Sequence, residues 1–523
     1  MKQLFAVRQL FAALLVLTLA GSTLAHPPKG AKKGPTKAAP FLKQALAAKK
    51  KGDTKAYEAA MLEAKKILAS EGRFACCIKG GCEECAIEGN CGCGANLFEK
   101  KGVCKSCLAG IKAGNGRYDA KDGVTPDMLF EEPMMGMEMQ GTFGPWSMNR
   151  EGSGTTWLPE SSPMYGKMTE RGDWQLMQMG MAALAYGDAG GKRGESQVYG
   201  ATQYMLMGQK RDEKERVLGL RGMFSLDPLT NGKKGYPNLF QTGETANGQP
   251  LKDRQHPHDL IMELAATYSA PLGGDKRGFL YLAPAGEPAL GPTAFQHRPS
   301  AWDNPVAPIS HHWLDGTHIT YGVATAGVTA GDKWKLEGSV FNGREPNEDR
   351  YNIDPIRLNS YAGRITHNPS KDLSFQASYG FLKSPETLEP GVNQHRLTLS
   401  AMHNRAFENG DNLASMVAIG QNIKGGGKTT ALLAETAYTR GKQTYFSRLD
   451  NTQKDELVGV PTGTYRINKL SLGGVHNLKQ DERGQQGVGA SLDFYAYPSA
   501  LKASYGTAPV SVNVFYRWRF GKM

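Results

Sequence analysis

The stretch VSVNVFYRWRF, from Val510 to Phe520, decides which fold class the sequence favours. Side chains of an extended strand point alternately to its two faces. One face of this stretch is apolar throughout and carries Val510, Val512, Val514, Tyr516, Trp518 and Phe520. The other face is polar apart from Phe515, and it carries Ser511, Asn513, Arg517 and Arg519. A strand that is apolar on one side and polar on the other suits a wall between lipid and water.

This stretch resembles the closing strand of bacterial outer-membrane β-barrels, in which a terminal aromatic residue is usual. Phe520 occupies that place, although Gly521, Lys522 and Met523 follow it. The resemblance implies a barrel in the outer membrane of a Gram-negative bacterium. The stretch taken alone is also consistent with an amphipathic edge strand of a soluble β-sandwich.

The first residues of the chain indicate export from the cytoplasm. Lys2 and Arg8 precede an apolar run from Leu10 to Leu19, and small residues precede His26. This pattern predicts a signal peptide over residues 1–25, because the apolar run is too short to span a bilayer. The mature protein is therefore expected in an oxidising compartment.

The spacing of amphipathic segments predicts a barrel over residues 174–520. The segments are 174–187, 197–209, 214–226, 259–270, 276–285, 317–328, 333–343, 359–369, 372–383, 394–406, 411–423, 428–440, 442–453, 464–478, 484–498 and 508–520. Short turns alternate with long loops, as in outer-membrane barrels, and this register leaves both termini in the periplasm. The predicted fold class is all-β: a transmembrane, antiparallel, up-and-down β-barrel of about sixteen strands. The segments 276–285 and 442–453 are weak, so a count of about fourteen or eighteen strands also fits.

Methionines occupy the inward parity of the first three predicted strands. They are Met177, Met179, Met181, Met205, Met207 and Met223; Met402 and Met416 share the polar face of their strands, whereas Met262 does not. The segment before the barrel adds Met134, Met135, Met137 and Met139. Thioether sulfur is soft and selects Cu(I), so these residues are candidate metal ligands. The alternative is that methionine packs a narrow or plugged lumen.

All eight cysteines lie within a short segment before the barrel. They are Cys76, Cys77, Cys82, Cys85, Cys91, Cys93, Cys104 and Cys107. Two Cys-x-x-Cys pairs, Cys82 with Cys85 and Cys104 with Cys107, have the spacing of a zinc ribbon. An even number of cysteines in an exported module equally predicts a disulfide framework, and a mixture of the two is the third interpretation.

The remaining residues before the barrel divide by composition. We predict a disordered basic linker over 26–37, a helical hairpin over 38–70 and a cysteine-rich module over 71–110. Residues 111–173 are rich in methionine, glycine and proline, which predicts a connector or a plug that enters the barrel. The helices and the cysteine-rich module would together form a small periplasmic module. This region is the expected contact with peptidoglycan or with a periplasmic protein.

Histidines in the long loops form a third candidate site. His256 and His258 stand next to Asp259, and the next long connection adds His297, His311, His312 and His318. Imidazole with carboxylate suits Cu(II), Zn(II) or Ni(II). The alternative role of these side chains is to pin the long loops by hydrogen bonds.

Composition and motifs narrow the class of function. The formal charge of +12 lies mostly before residue 120, and the predicted barrel is nearly balanced, which argues against nucleic acid as a partner. The sequence lacks Gly-x-Ser-x-Gly, His-Glu-x-x-His and a phosphate-binding loop, so we expect no enzyme.

Three functions are consistent with the sequence. The first is a barrel that handles soft metal ions, with copper or zinc as the bound ion. A methionine-rich segment before a barrel is similar in kind to copper-resistance outer-membrane proteins, although their Met-His repeats are absent and the cysteine module is foreign to them. The second is a general porin for small solutes with a disulfide-stapled periplasmic module. The third is a structural or adhesive barrel with long external loops. In each case the barrel wall contacts outer-membrane lipid.

Overall fold

The computed structural model describes residues 37–70, 139–407, 409–481 and 484–521. They belong to two compact units, which divide at residues 137 and 138. Within these ranges no helix is both long and apolar enough to cross a membrane.

The first unit contains a helical hairpin, as the sequence predicts. Helix α1 spans Ala39–Lys50 and α2 spans Thr54–Ser70. The Asp53 carboxylate caps α2 by accepting a hydrogen bond from the Ala56 amide at 3.0 Å. The two helices bury a small core between them, made of Ala38, Leu42, Ala45, Ala60, Met61 and Ala64.

The second unit is a closed barrel of sixteen antiparallel strands. In chain order they are β1 (Trp174–Asp188), β2 (Ser196–Arg211), β3 (Val217–Phe224), β4 (Ile261–Gly273), β5 (Lys276–Gly286), β6 (Thr320–Ala330), β7 (Trp334–Phe341), β8 (Ser360–Ser370), β9 (Leu373–Leu382), β10 (Gln394–Ala406), β11 (Asn412–Lys424), β12 (Gly427–Arg440), β13 (Gln443–Lys454), β14 (Tyr465–Asp481), β15 (Gly484–Ala496) and β16 (Val510–Phe520). The predicted all-β class and strand count are therefore confirmed.

The closing strand pairs with the first one. Gly180 of β1 lies opposite Phe520 of β16, and the ladder continues to Asp188 opposite Val512. Before Gly180, the first residues of β1 pair instead with a short strand, Lys167–Arg171. The sheet therefore has no free edge along β1, which removes the edge that an open sheet would expose.

Connections at the two ends of the barrel differ in length. Short turns such as 274–275 and 371–372 lie at one end, and long loops such as 225–260 and 287–319 lie at the other. One connection at the long-loop end is an exception, since β11 and β12 are joined by Gly425 and Gly426, with φ of 57° and 80°. Two positive φ angles in a row define the tight hairpin turn that glycine permits.

The outer surface of the barrel is apolar. Leu184, Leu336 and Leu399 point outward and are each about three-fifths exposed. Exposed aromatic side chains lie towards both ends of the strands: Trp334, Phe375 and Tyr445 at the short-turn end, and Tyr186, Tyr361 and Phe494 at the long-loop end. An apolar band between two aromatic girdles is the exterior of a barrel that sits in lipid.

Candidate functional site in the barrel lumen

Residues 139–166, here called the plug, lie inside the barrel at the short-turn end. The Thr155 hydroxyl accepts a hydrogen bond from Arg364 of β8 at 2.9 Å and donates one to Glu337 of β7. On other sides of the wall, Gln209 donates to the Gln140 carbonyl at 2.8 Å, and Asn404 donates to the Ser161 carbonyl at 2.6 Å. The plug is thus held by polar side chains from β2, β7, β8 and β10.

Two long loops fold into the lumen from the other end. The first inward loop is 225–260 and contains a short helix, α3 (Asp227–Asn231), and two small hairpins, Tyr236–Pro237 with Arg254–Gln255 and Thr245–Ala246 with Gln249–Pro250. The second inward loop is 287–319 and contains α4 (His311–Leu314). Asn238 of the first loop accepts a hydrogen bond from Lys469 of β14 at 2.9 Å, and Trp313 of the second donates to Thr429 of β12 at 2.9 Å. The plug and both loops therefore occupy the lumen.

Methionine side chains converge where the plug meets the first strands. Met179, Met205 and Met223 lie directly opposite one another across β1, β2 and β3. Two packed groups share Met179 and Met207 and so form one methionine cluster, whose members are Met139, Met148, Met164, Met168, Met177, Met179, Met205, Met207, Met223 and Met262.

The position of Met262 differs from the one predicted by the alternation of side chains along the strand. The sequence pattern put it on the opposite face from the polar residues, yet it is fully buried against Met205 and Met223. The cause is a bulge in β4, where Met223 pairs with Glu263 but Phe224 pairs with Ile261. The extra residue breaks the alternation, so Met262 and Glu263 both lie on the buried side.

A cavity of about 50 Å³ lies beside the methionine cluster. Its lining includes three thioethers, one imidazole, two amides and one guanidinium, from Met179, Met181, Met205, His297, Gln203, Gln296 and Arg519. The side-chain oxygens of Gln203 and Gln296 are buried without a hydrogen-bond partner. A space of this size is large enough for a water molecule or a metal ion, and unpartnered acceptors favour such an occupant.

His297 connects the cavity to the methionine cluster, because its Nε2 lies 3.3 Å from the Met223 sulfur. Burial, together with the nearby Arg221 guanidinium and His258, lowers the pKa of His297 to about 4. The imidazole is therefore neutral near neutral pH, which is the form that binds metals.

The other loop histidines lie close by but make different contacts. The His258 ring faces the His318 ring at 5.4 Å, and the His311 ring faces it at 5.0 Å. The Asp227 carboxylate lies 2.8 Å from a ring nitrogen of His258, and the Asp315 carboxylate lies 2.9 Å from a ring nitrogen of His311. His318 keeps a buried Nε2 without a partner, and burial together with the His311 and His258 rings sets its pKa well below the usual value.

His256 contacts Arg350 at 3.0 Å and Glu244 at 3.2 Å. Burial, followed by the charge of Arg350, sets the pKa of His256 well below its usual value. The Asp227–His258 and Asp315–His311 contacts lie within single loops, whereas the His256–Arg350 contact joins the first inward loop to the connection 342–359.

Several predicted ligands lie outside the described residues. They are all eight cysteines (Cys76, Cys77, Cys82, Cys85, Cys91, Cys93, Cys104 and Cys107) and the methionines Met134, Met135 and Met137. The structure therefore does not bear on the zinc-ribbon and disulfide interpretations. Of the methionines that the sequence singled out, Met139, Met177, Met179, Met205, Met207 and Met223 lie in the methionine cluster, and Met181 lines the cavity.

Gln203, Gln296 and Arg519 belong to the cavity, although sequence reasoning did not assign them to a site. Gln203 alternates in step with the inward-facing Met205 and Met207 of β2, so this pattern could have identified it as a lumen residue. Gln296 lies in a loop without a motif, so its place in the lumen could not be read from local sequence.

No protein-family model matches the chain, and no curated protein sequence matches it. Solved structures of outer-membrane proteins are similar to part of the chain. An anion-selective porin from Comamonas acidovorans is 12% identical with a TM-score of 0.44, and the alignment covers 66% of this chain and 100% of that one. OmpF of Salmonella typhi is 11% identical with a TM-score of 0.42, over 68% of this chain and 100% of that one. The outer-membrane channel DcaP of Acinetobacter baumannii is 8% identical with a TM-score of 0.42, over the same shares of 68% and 100%. These values carry no functional property to this chain, whose assignment as an outer-membrane type of barrel rests on its own strand pairing and apolar exterior.

Proposed function

We propose that this protein is a plugged outer-membrane barrel that binds soft metal ions, copper(I) above all, in its lumen. The observation that carries this proposal is the cavity lined by Met179, Met181, Met205 and His297. A filled lumen with such a space beside an array of thioethers is suited to holding an ion.

The ligand chemistry favours copper(I) over hard cations. Thioethers are neutral and polarisable, so they bind a soft ion without losing a proton. Neutral His297 adds a nitrogen ligand of the kind that copper accepts. Arg519, the cationic group on the cavity, pairs with Asp303 at 3.0 Å, a carboxylate that it shares with Arg517.

The methionine cluster supplies further soft ligands around the cavity. It runs from plug residues such as Met139 and Met148 to the barrel wall at Met223. In this proposal the cysteine-rich segment lies in the periplasm, where its cysteines bind copper or zinc or form disulfides. The same region is the proposed contact with peptidoglycan or a periplasmic partner.

A solute channel is the second candidate, favoured by the size of the barrel. Sixteen strands enclose a lumen wide enough for an aqueous channel when nothing fills it. Many contacts of the plug and inward loops are polar, and water can replace such contacts if these segments move. Under this alternative the methionines are packing only.

Elemental analysis of the full-length protein from outer membranes tests the first proposal. Cells are grown with and without added copper, and the variant Met179→Leu/Met181→Leu/Met205→Leu is compared with wild type. The control is Met402→Leu/Met416→Leu, because this buried pair packs against Leu158, Leu314 and Leu433 in another cluster. A variant in which Cys82, Cys85, Cys104 and Cys107 are serine reports the share of metal held by the cysteines.

We expect stoichiometric copper in wild type and in the control, and a loss of copper in the cavity variant. Equal copper in the cavity variant and the control would assign these methionines to packing. An empty wild-type protein with metal-independent conductance in planar bilayers would favour the solute channel.

A further inference from the structure

A separate group of potential ligands lies at the long-loop end of the barrel. His312 is in the second inward loop, Glu345 is in the connection 342–359, and Glu386 is in the connection 383–393. One ligand atom from each lies within 4.8 Å of the other two. Three different connections therefore bring an imidazole and two carboxylates to one point.

Burial makes this grouping costly unless a cation joins it. His312 is 5% exposed and Glu386 is 6% exposed, and Glu345 is half-buried. The Glu386 Oε2 atom is buried and has no hydrogen-bond partner. A buried carboxylate oxygen without a partner carries a large desolvation cost, which a bound cation would remove.

Acidic side chains predominate around the group. Carboxylates outnumber cationic side chains around it: Glu244, Glu345, Glu386, Glu389 and Glu456 against Arg396, Lys424 and Lys454. Lys424 is already shared by Glu389 at 2.8 Å and by Glu456.

The ligand types match a divalent transition metal. One imidazole nitrogen with two carboxylate oxygens and water is a set that Zn²⁺ accepts. Glu244 contacts His312 Nε2 at 2.9 Å, which is the outer contact that orients a metal-binding histidine. Copper(I) would prefer softer ligands, so this group differs in chemistry from the lumen cavity.

We infer that His312, Glu345 and Glu386 form a site for a divalent ion of the Zn²⁺ class, which ties three loops together at the mouth of the barrel. The backbone already joins two of these loops, because the Glu345 amide donates to the Pro385 carbonyl at 3.1 Å. A bound ion adds the second inward loop through His312. This site is independent of the lumen copper proposal, since it shares no ligand with the cavity.

Zinc binding to the full-length protein, without a polyhistidine tag, tests the site. Bound Zn²⁺ is counted by elemental analysis after equilibrium dialysis for wild type, His312→Gln and Glu386→Gln. The matched controls are His395→Gln, whose ring contacts Tyr379 at 2.8 Å, and Glu389→Gln in the same loop as Glu386. We expect wild type and controls to hold one more zinc ion per chain than either site variant.

Limited trypsin digestion supplies a second readout of the same site. Arg344 and Lys383 are exposed and flank the ligands Glu345 and Glu386 in sequence. Because the ion joins these loops, Zn²⁺ is expected to slow cleavage after both residues in wild type and in the controls. It is expected to leave cleavage unchanged in His312→Gln and Glu386→Gln.

Folding is checked by comparing the migration of heated and unheated protein in detergent gels. If a buried-site variant does not fold, Glu345→Gln replaces it, because Glu345 is half-buried. Equal zinc content in wild type and the folded site variants would overturn the inference. An equal loss in Glu389→Gln and Glu386→Gln would also overturn it, because it would indicate a general charge effect.

Discussion

Arg298 of the second inward loop and Glu435 of β12 form an ion pair inside the barrel, with Nε and Oε1 2.8 Å apart and neither side chain exposed. Arg298 also contacts Asp315 at 2.6 Å, and Arg448 contacts Glu435 at 3.2 Å. The loop leaves the wall after β5 and returns at β6, so this pair holds it against a remote strand. It attaches the loop to the inner face of the wall at β12.

Arg298→Met is expected to loosen the second inward loop. It leaves Glu435 and Asp315 buried without their shared cation, and breaking a buried pair in this way costs about 3–5 kcal/mol. We therefore expect a lower free energy of unfolding and a higher single-channel conductance in planar bilayers. The control is Arg216→Met, which removes an exposed pair with Asp212 and is expected to change the free energy of unfolding little, because water screens exposed charges. Equal effects of the two changes would contradict the role of the buried pair.

Thr155→Val is expected to weaken the attachment of the plug. The change removes the hydroxyl that contacts Arg364 and Glu337, at a cost of about 1–3 kcal/mol for the buried groups left without it. Unfolding in urea measures the loss, and Thr387→Val at an exposed loop position is the control. If both variants unfold at the same urea concentration as wild type, the plug contacts contribute no stability.

Glu287→Gln is expected to change how stability depends on pH. Burial raises the pKa of Glu287 from 4.5 to about 8. Between these values the folded chain holds one more proton at this site than the unfolded chain, so the free energy of unfolding falls as pH rises. Wild type is therefore expected to lose at least about 1 kcal/mol relative to Glu287→Gln between about pH 5 and pH 8. Parallel stability curves for the two proteins would show that Glu287 is ionised in the folded state.

Leu336→Lys is expected to destabilise the barrel in lipid. Leu336 is 58% exposed on the outer face of β7, where a lysine costs up to about 2–4 kcal/mol, the value at the bilayer midplane. Leu358→Lys is the matched control, because Leu358 is 56% exposed but lies in a long loop. Unfolding from lipid vesicles compares them, and similar losses would argue that β7 does not face lipid.

The strands could be predicted from the sequence because their signal is local. Alternation along each segment reports which face contacts lipid, and even the weak segments 276–285 and 442–453 coincide with β5 and β13. The burial of Met262 could not be predicted in this way, because a bulge shifts the alternation without a mark in composition.

The filling of the lumen depends on contacts between distant parts of the chain. Arg298 and Glu435 are 137 residues apart, and nothing in their local sequence pairs them. The loop site shows the same limit. Enrichment in histidine singled out His312, but Glu345 and Glu386 come from two other connections and look like ordinary loop carboxylates. The alternation of side chains, by contrast, correctly predicted that the methionines of β1, β2 and β3 face the lumen, because these residues lie on regular strands.

X-ray absorption at the copper edge tests the central claim most directly. The sample is the full-length barrel with all eight cysteines changed to serine, loaded with Cu(I), so that any sulfur ligand must be a thioether. We predict copper–sulfur scattering with a nitrogen ligand, and its loss in the same protein carrying Met179→Leu/Met181→Leu/Met205→Leu. Absence of bound copper from the cysteine-free barrel, or an unchanged spectrum in the methionine variant, would contradict the proposed lumen site.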